Sequence, residues 1–418
     1  VTRCVVVGSG AREHALAYVL AKSADVVVTP GNDGIAAHGL TCVATPATEL
    51  DADLFVVGPE APLVAGLADQ LRAQGKVVVG PGLLGAQLEG SKSYMKEFLT
   101  VAGVPTAGYG TFDDEMAALE FLTTMKPPYV IKTDGLAAGK GVLVTDDLDE
   151  ARRDVTEKLS GSAFGAAGAR VVIEEGLIGE ECSLHVLCDG THVVALAPAQ
   201  DFKRVGDQDQ GANTGGMGAY GPMAAMTPAQ IEEIMREVIA PTVVELTTRG
   251  IDFRGVLYAG VMLTSEGPKL LEYNVRFGDP ETEVLVPLYG EAFFDLLVRT
   301  AEGRLEGASV TPTGAAVTVV LASEGYPQSP RLGDVIEGLG PDGQLAVANE
   351  HVIVFHAGTT RDERGRFLTN GGRVLAVTGL GDDLAQARER AYQGADLITF
   401  KGSVRRGDIA LVATQGDT

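Results

Sequence analysis

The sequence predicts a multidomain protein of α/β and α+β type, with a parallel sheet first, a mixed middle region and a small α+β unit last. Three observations predict it. Over residues 1–102, short apolar runs ending in glycine or proline alternate with helical stretches. Beyond that point the apolar runs come in neighbouring pairs joined by turns. The length of 418 residues also exceeds what a single hydrophobic core serves.

In the first unit, residues 1–102, "CVVVGSG" is a buried strand run entering a glycine turn, and "EHALAYVLAKS" follows with helical periodicity. "DVVVTPG", "ADLFVVGPE" and "KVVVGPG" are further strand runs, with helical stretches such as "LVAGLADQLRAQG" between them. Strand–helix alternation of this kind implies right-handed crossovers and a parallel sheet. In the second unit, 103–300, "PYVIKTDG", "GVLVTDD" and "RVVIEEG" predict an antiparallel set around the helix "LDEARRDVTEKLS". "CSLHVLCDGTHVVALAPAQ" reads as a hairpin turning at Asp189 and Gly190. A long helix, "TPAQIEEIMREVIAPTVVELTTRG", precedes the strands "GVLYAGVMLT" and "PKLLEYNVRFG". After the linker "EGRLEGASVTPTG", residues 312–418 supply three strand runs and the helix "DLAQARERAYQGADLI".

Composition narrows the function. With 33 basic against 56 acidic residues the net charge is −23, which repels nucleic acid and anionic membranes, so neither is expected as a partner. An anionic ligand must instead be met by a local cluster of basic groups and amides. No window carries the ~20 apolar residues of a membrane helix, and "VTRCVVVGSG" lacks a basic segment followed by an apolar one. A cytoplasmic protein is expected. Cys4, Cys42, Cys182 and Cys188 show no CxxC spacing and read as buried free thiols. The six histidines form no HExxH or HxH cluster, which argues against zinc.

The stretch "PYVIKTDGLAAGKGVLV", 128–144, is dense in glycine and lysine. A Walker A loop would need one more residue between Gly135 and Gly139, and a hydroxyl residue where Gly141 follows Lys140. It also leads into a strand. What remains, beside a plain hairpin turn, is a strand–loop–strand clamp whose small residues let amides close over phosphates, with Lys132 on the strand and Lys140 at the tip.

In "KLLEYNVRFGDPETE", strand alternation projects Glu272, Asn274 and Arg276 to one side and Leu271, Tyr273 and Val275 to the core. Glu and Asn are hard oxygen donors suited to Mg²⁺, which takes other ligands from phosphates and water. Arg276 suits a bidentate grip on a carboxylate or phosphate. "VVIEEGLIGEECSL" is an acidic turn, either a solvated one or a hinge offering backbone groups to an adenine and a carboxylate to a ribose. "QDFKRVGDQDQGANTGGMGAYGP", with Asp201, Lys203 and Arg204, reads as a long structureless loop, and such loops in compact domains are usually functional. In "VVVGSGAREHAL", Glu13 stands where a dinucleotide fingerprint needs glycine, and the second strand ends without the acidic residue for the ribose. NAD is therefore not expected. A glycine turn at a helix N-terminus still suits a sugar phosphate, with Arg12 to help and "TPGNDG" at 29–34 nearby.

Taken together, these segments resemble the glycinamide ribonucleotide synthetases, the phosphoribosylamine–glycine ligases of the ATP-grasp superfamily. The resemblance also runs through "LEGSKSYMKEFL", "VVGPEAPLVAGLAD", "HAGT" and "TNGGRVLAVTGLG", and so spans essentially the whole chain. Ala11 stands where the family pattern leads one to expect glycine. The resemblance implies a Rossmann-like N-terminal domain, an ATP-grasp core with a mobile lid over roughly 117–178, and a small C-terminal domain. ATP would lie between lid and core. Lys92 and Lys132 would contact its phosphates, and Gly135, Gly139, Lys140 and Gly141 would close over them. Glu175, Gly176, Leu177 and Ile178 would form the adenine hinge, and Glu181 would hold the ribose. Glu272 and Asn274 would bind Mg²⁺ or Mn²⁺.

By the same resemblance, phosphoribosylamine would sit against Gly8, Gly10, Arg12, Glu13, Gly31, Asn32 and Gly34. Asp201, Lys203, Thr214, Gly215, Gly216, Met217 and Arg276 would line the pocket where it meets glycine, with Arg276, Lys132 and Asp201 as catalytic groups. Phosphoribosylamine would arrive by diffusion or by transient handover from an upstream amidotransferase, and a monomer is expected. Rival readings are an ATP-grasp ligase or carboxylase with another acceptor, a dinucleotide-dependent oxidoreductase, and a non-catalytic ATP-binding sensor.

Overall fold

Five short strands near the N-terminus, β1 (Arg3–Gly8), β2 (Asp25–Pro30), β3 (Thr41–Cys42), β4 (Leu54–Val57) and β5 (Val78–Val79), form a parallel sheet in the computed structural model. The model describes residues 2–136, 141–161, 170–223 and 225–415. The sheet order is β3-β2-β1-β4-β5. Five of the six residues of β1 are buried, as expected of a strand covered by helices on both faces. The chain runs outward from β1 and returns to β4, which opens a crevice at the carboxyl ends of the strands. There the turns after β1 and β2 touch, the Gly31 amide donating to the Gly8 carbonyl at 3.0 Å.

Next come β6 (Tyr109–Phe112), β7 (Tyr129–Thr133), β8 (Val142–Thr145) and β9 (Val171–Glu175), an antiparallel sheet of order β6-β9-β7-β8. Helices Glu115–Thr124 and Leu148–Leu159 pack on it. Ala118, Leu122, Tyr129, Ile131, Ala151, Val155, Val171 and Ile173 form a core separate from the two larger ones. This unit thus closes its own apolar surface.

β10 (Glu180–Asp189) and β11 (Val193–Ala195) make the predicted hairpin, with Gly190 at φ +100°. The "QDFKR…YGP" segment corrects the sequence expectation. Instead of a structureless loop it carries β12 (Gln200–Asp201), the hairpin β13 (Arg204–Gly206) and β14 (Gln210–Asn213), and β15 (Gly218–Gly221). Glycine and polar residues hide the period of two, yet glycine is what the pairing needs. A Cβ on Gly218 would stand 2.6 Å from the Thr318 carbonyl oxygen.

The long helix runs as Pro228–Ile234, a π turn at Met235–Ile239, and Ala240–Thr248. β16 (Arg254–Thr264) and β17 (Gly267–Asn274) complete the central sheet, β11-β10-β16-β17. A register shift at Gly260 and Val261 alters the predicted alternation. Leu270 takes the core position, and Leu271 faces the cleft beside Glu272 rather than packing inward.

β18 (Ala315–Ala322), β19 (Val352–His356), the ribbon β20 (Thr359–Arg361) and β21 (Phe367–Thr369), and β22 (Arg373–Gly381) finish the chain with helix Leu384–Asp396. The last large sheet has the order β12-β15-β18-β22-β19, so the glycine-rich segment is stitched into the C-terminal sheet. The multidomain α/β and α+β class is as predicted. Cys4, Cys182 and Cys188 are buried free thiols, Cys42 a half-buried one. Among the described residues no helix is long and apolar enough to cross a membrane.

Candidate active site

A cleft of about 890 Å³ opens between the β6–β9 unit and the central sheet, within the usual size of small-molecule sites. Its cationic side begins at Lys92, the first residue of helix Lys92–Ala102, which Ser91 caps by accepting from the Tyr94 amide at 3.1 Å. Lys92 Nζ donates to the Gly135 carbonyl at 3.1 Å. Burial lowers the Lys92 pKa, and Lys132 adds to this, against Glu272, Asp134 and Glu89. Lys132, on β7, donates to the Leu271 carbonyl at 3.1 Å and pairs with Glu174 at 2.8 Å. Gly135 and Gly141 also line the cleft; Gly139 and Lys140 lie outside the described residues.

Opposite, Glu272 and Asn274 line the cleft from β17. Burial would raise the Glu272 carboxyl, but Lys203, Lys132, Lys92 and Arg276 outweigh it and hold it below its usual value. It stays an anion among four cations. Asn274 Oδ1 accepts from Arg276 Nη2 at 3.0 Å. One carboxylate and one amide oxygen fit a hard divalent cation. Among the described residues no group of three or more His, Cys, Asp or Glu is placed to hold a metal.

Arg276 itself is committed within the protein. It reaches Glu89 Oε1 at 2.8 Å, Glu60 Oε2 at 3.3 Å, Asn274 and the Phe277 carbonyl. The expected bidentate grip on a substrate is thus taken up by two carboxylates of the chain, and the guanidinium orients Asn274. Asp201 and Lys203 line the cleft with Thr214 and Gly215. Burial pushes the Asp201 carboxyl up to about 8, Lys203 opposing and Glu281, Glu181 and Glu272 adding to the rise. Lys203 pairs with Glu181, so that carboxylate is shared between the hinge side and the cleft floor.

The hinge segment is placed in part as expected. Glu175, Gly176 and Leu177 line the cleft. The Glu175 side chain accepts from the Gly108 amide at 3.0 Å, and a Cβ on Gly176 would lie 2.5 Å from the Pro128 carbonyl. Ile178 is outside the lining and 82% exposed, because the chain turns away before β10.

Of the turns after β1 and β2, Arg12 alone among the described residues lines this cleft. Gly8, Gly10, Gly31, Asn32 and Gly34 sit at the carboxyl ends of β1 and β2, outside its lining; Gly216 and the buried Met217, between β14 and β15, are outside it too. Glu13 is internal: Oε2 accepts from the Gly10 amide at 2.6 Å and Oε1 from Arg12 Nε at 2.6 Å. The chain's own carboxylate therefore takes the amide that a dinucleotide phosphate would need. The Asn32 side chain bonds the Ser9, His356 and Ala357 carbonyls and caps Ile35, tying the first unit to the last.

Sequence reasoning assigned no role to several residues lining the cleft. Glu281, 2% exposed, accepts from Tyr258 at 2.5 Å and Ser183 at 3.1 Å. Arg373 reaches over from β22 to Asp279 at 3.0 Å and the Gly215 carbonyl at 2.6 Å. Glu60, Glu89 and Glu174 also belong here. The acids stood beside turns in "GPEAP" and "LEGSK", the one available signal; nothing local marks Arg373.

Fold and site define an ATP-grasp enzyme of the carboxylate–amine ligase class. The chain belongs to the phosphoribosylglycinamide synthetase family, whose N-domain model matches residues 2–89, ATP-grasp (A) domain 90–282 and C domain 316–412. It is 46% identical to the phosphoribosylamine–glycine ligase of Caulobacter vibrioides, over 98% of each chain. It is 45% identical to that of Neisseria meningitidis, again over 98% of each. The crystal structure of the phosphoribosylamine–glycine ligase of Thermotoga maritima superposes with a TM-score of 0.87 at 36% identity, covering 98% of this chain and 100% of that one. The biotin carboxylase of Campylobacter jejuni, in a β-γ-ATP complex, gives 0.70 at 13% identity over 97% and 93%, a likeness of fold alone.

Proposed function

We infer that the protein joins glycine to 5-phosphoribosylamine with hydrolysis of ATP, yielding glycinamide ribonucleotide, ADP and phosphate in purine biosynthesis. The observation that carries this reading is the single cleft in which Lys92 and Lys132 face Glu272 and Asn274 on a chain of this family. Lys92 and Lys132 bind the ATP phosphates, and Gly135 and Gly141 close over them. Glu175 to Leu177 flank the adenine, and Glu181 the ribose. A divalent cation, Mg²⁺ or Mn²⁺, held by Glu272 and Asn274 neutralises charge on the phosphates when bound.

A glycine carboxylate oxygen attacks the γ-phosphorus as the bond to ADP breaks, leaving glycyl phosphate. The amine of phosphoribosylamine then attacks the carbonyl carbon, its proton passes to Asp201, and the carbon–oxygen bond to phosphate breaks. A carboxyl near 8 suits a proton acceptor at working pH. Arg12, which borders the cleft, meets the sugar phosphate, while Lys203, Thr214 and Gly215 border the junction. Arg276 fixes Asn274. The rest is positioning and charge neutralisation, and the β6–β9 unit, as a lid, keeps water from the acyl phosphate. The protein acts as a cytoplasmic monomer and receives phosphoribosylamine by diffusion or from the upstream amidotransferase.

The test is phosphate release from ATP and Mg²⁺, adding glycine and fresh phosphoribosylamine singly and together. Release only with both is expected. Release with neither, or with another amino acid in place of glycine, overturns the substrate assignment.

A further inference from the structure

Glu174 stands on β9, next to the hinge, and is 1% exposed. Its two oxygens meet two ammonium groups: Oε1 pairs with Lys132 at 2.8 Å and Oε2 with Lys96 at 3.0 Å. Lys132 lines the cleft; Lys96 does not, and its side chain is fully buried. Lys96 Nζ also donates to Thr106 Oγ1 at 2.7 Å, and Thr106 donates to the Leu270 carbonyl at 2.7 Å. A lysine that touches no ligand surface is held in place on all sides, at the seam between the lid sheet and helix Lys92–Ala102.

One buried carboxylate facing one ammonium would make a neutral pair with little attraction for a polyphosphate. Two ammonium groups on the same carboxylate leave a surplus positive charge, and the member that faces the cleft is Lys132. Burial would raise Glu174, but Lys132 and Lys96 outweigh it and keep it ionised. Burial lowers Lys96 to about 8, with Glu174 resisting, so it carries its charge at neutral pH.

We propose that Lys96 is a positioning residue for the nucleotide: by neutralising Glu174 from behind, it leaves the charge of Lys132 to the ATP phosphates. This rests on the reading that the cleft binds ATP through Lys132. The experiment is equilibrium binding of Mg·ATP at neutral pH, beginning with the unaltered protein. No binding there overturns the reading of the cleft itself.

Given binding, Lys96→Met is expected to weaken affinity about tenfold, the order of one lost charge interaction at a high effective dielectric. Lys96→Met combined with Glu174→Gln, which removes both charges, is expected to return to within about threefold of the unaltered protein. Glu174→Gln alone, nearly isosteric and the safeguard should Lys96→Met not fold, is expected to bind as tightly or more tightly. Weaker binding by Glu174→Gln, unchanged binding by Lys96→Met, or a double variant as weak as Lys96→Met overturns the proposal. A merely structural Lys96 would lower the melting temperature without this pattern of loss and recovery.

Discussion

The imidazoles of His14 and His38 meet edge to face, with His14 Nε2 and His38 Nδ1 2.9 Å apart. His14 Nδ1 accepts the His356 amide at 2.9 Å, so its proton sits on Nε2 and points at His38. Gln344 also reaches His38, and His356 bonds Thr359 and the Gly343 carbonyl. Neutral rings thus join the first unit to the last.

Acid should loosen this joint. Burial first, then His356 and His38, holds His14 well below its usual value; burial, with His38 and Arg361 against the Gly343 carbonyl, lowers His356 to about 4. Burial also lowers His38, against Asp342. The unfolded chain, near ~6.5, binds more protons than the folded one below that pH. The stabilisation is full above ~6.5 and disappears as pH falls towards 4, on the order of 3 kcal/mol for His356. Melting temperature measured from pH 7.5 to 5 should fall, and more shallowly in His356→Gln.

Glu272→Ala should lower turnover by about 10³-fold, because no other carboxylate shares its face of β17. The melting temperature should change little, since the side chain lies in the cleft rather than in a core. Near-normal phosphate release at saturating Mg·ATP would remove Glu272 from the metal site.

Asp201 is expected to impose a rising limb on the pH–rate profile, since a proton acceptor works only when ionised and this one is raised to about 8. Asp201→Asn should cost roughly 10²-fold in kcat and abolish that limb. A variant that keeps the limb would show another group taking the proton.

Gly34 faces the His356 ring so closely that a Cβ would lie 1.9 Å from its Cγ. Gly34→Ala should destabilise the protein by about 2 kcal/mol through overpacking. Chemical denaturation measures this. An unchanged midpoint would mean that the two units part readily here.

The sequence by itself determined the order of units, the parallel first sheet and the β10–β11 hairpin. Strand alternation, turn residues and chain length act locally, so they are legible without coordinates. That Glu272 and Asn274 share one face of a strand was legible for the same reason: both lie within one short segment. Only the tertiary structure decided that Arg276 is held by Glu60 and Glu89, some two hundred residues away, and that Glu13 and Asn32 bond inward. It also decided that Arg373 reaches the cleft, that the glycine-rich segment is a set of strands, and that Lys96 stands behind Glu174. Ion pairing and burial depend on distance in space, and a charged residue carries no local mark of which partner folding will bring to it.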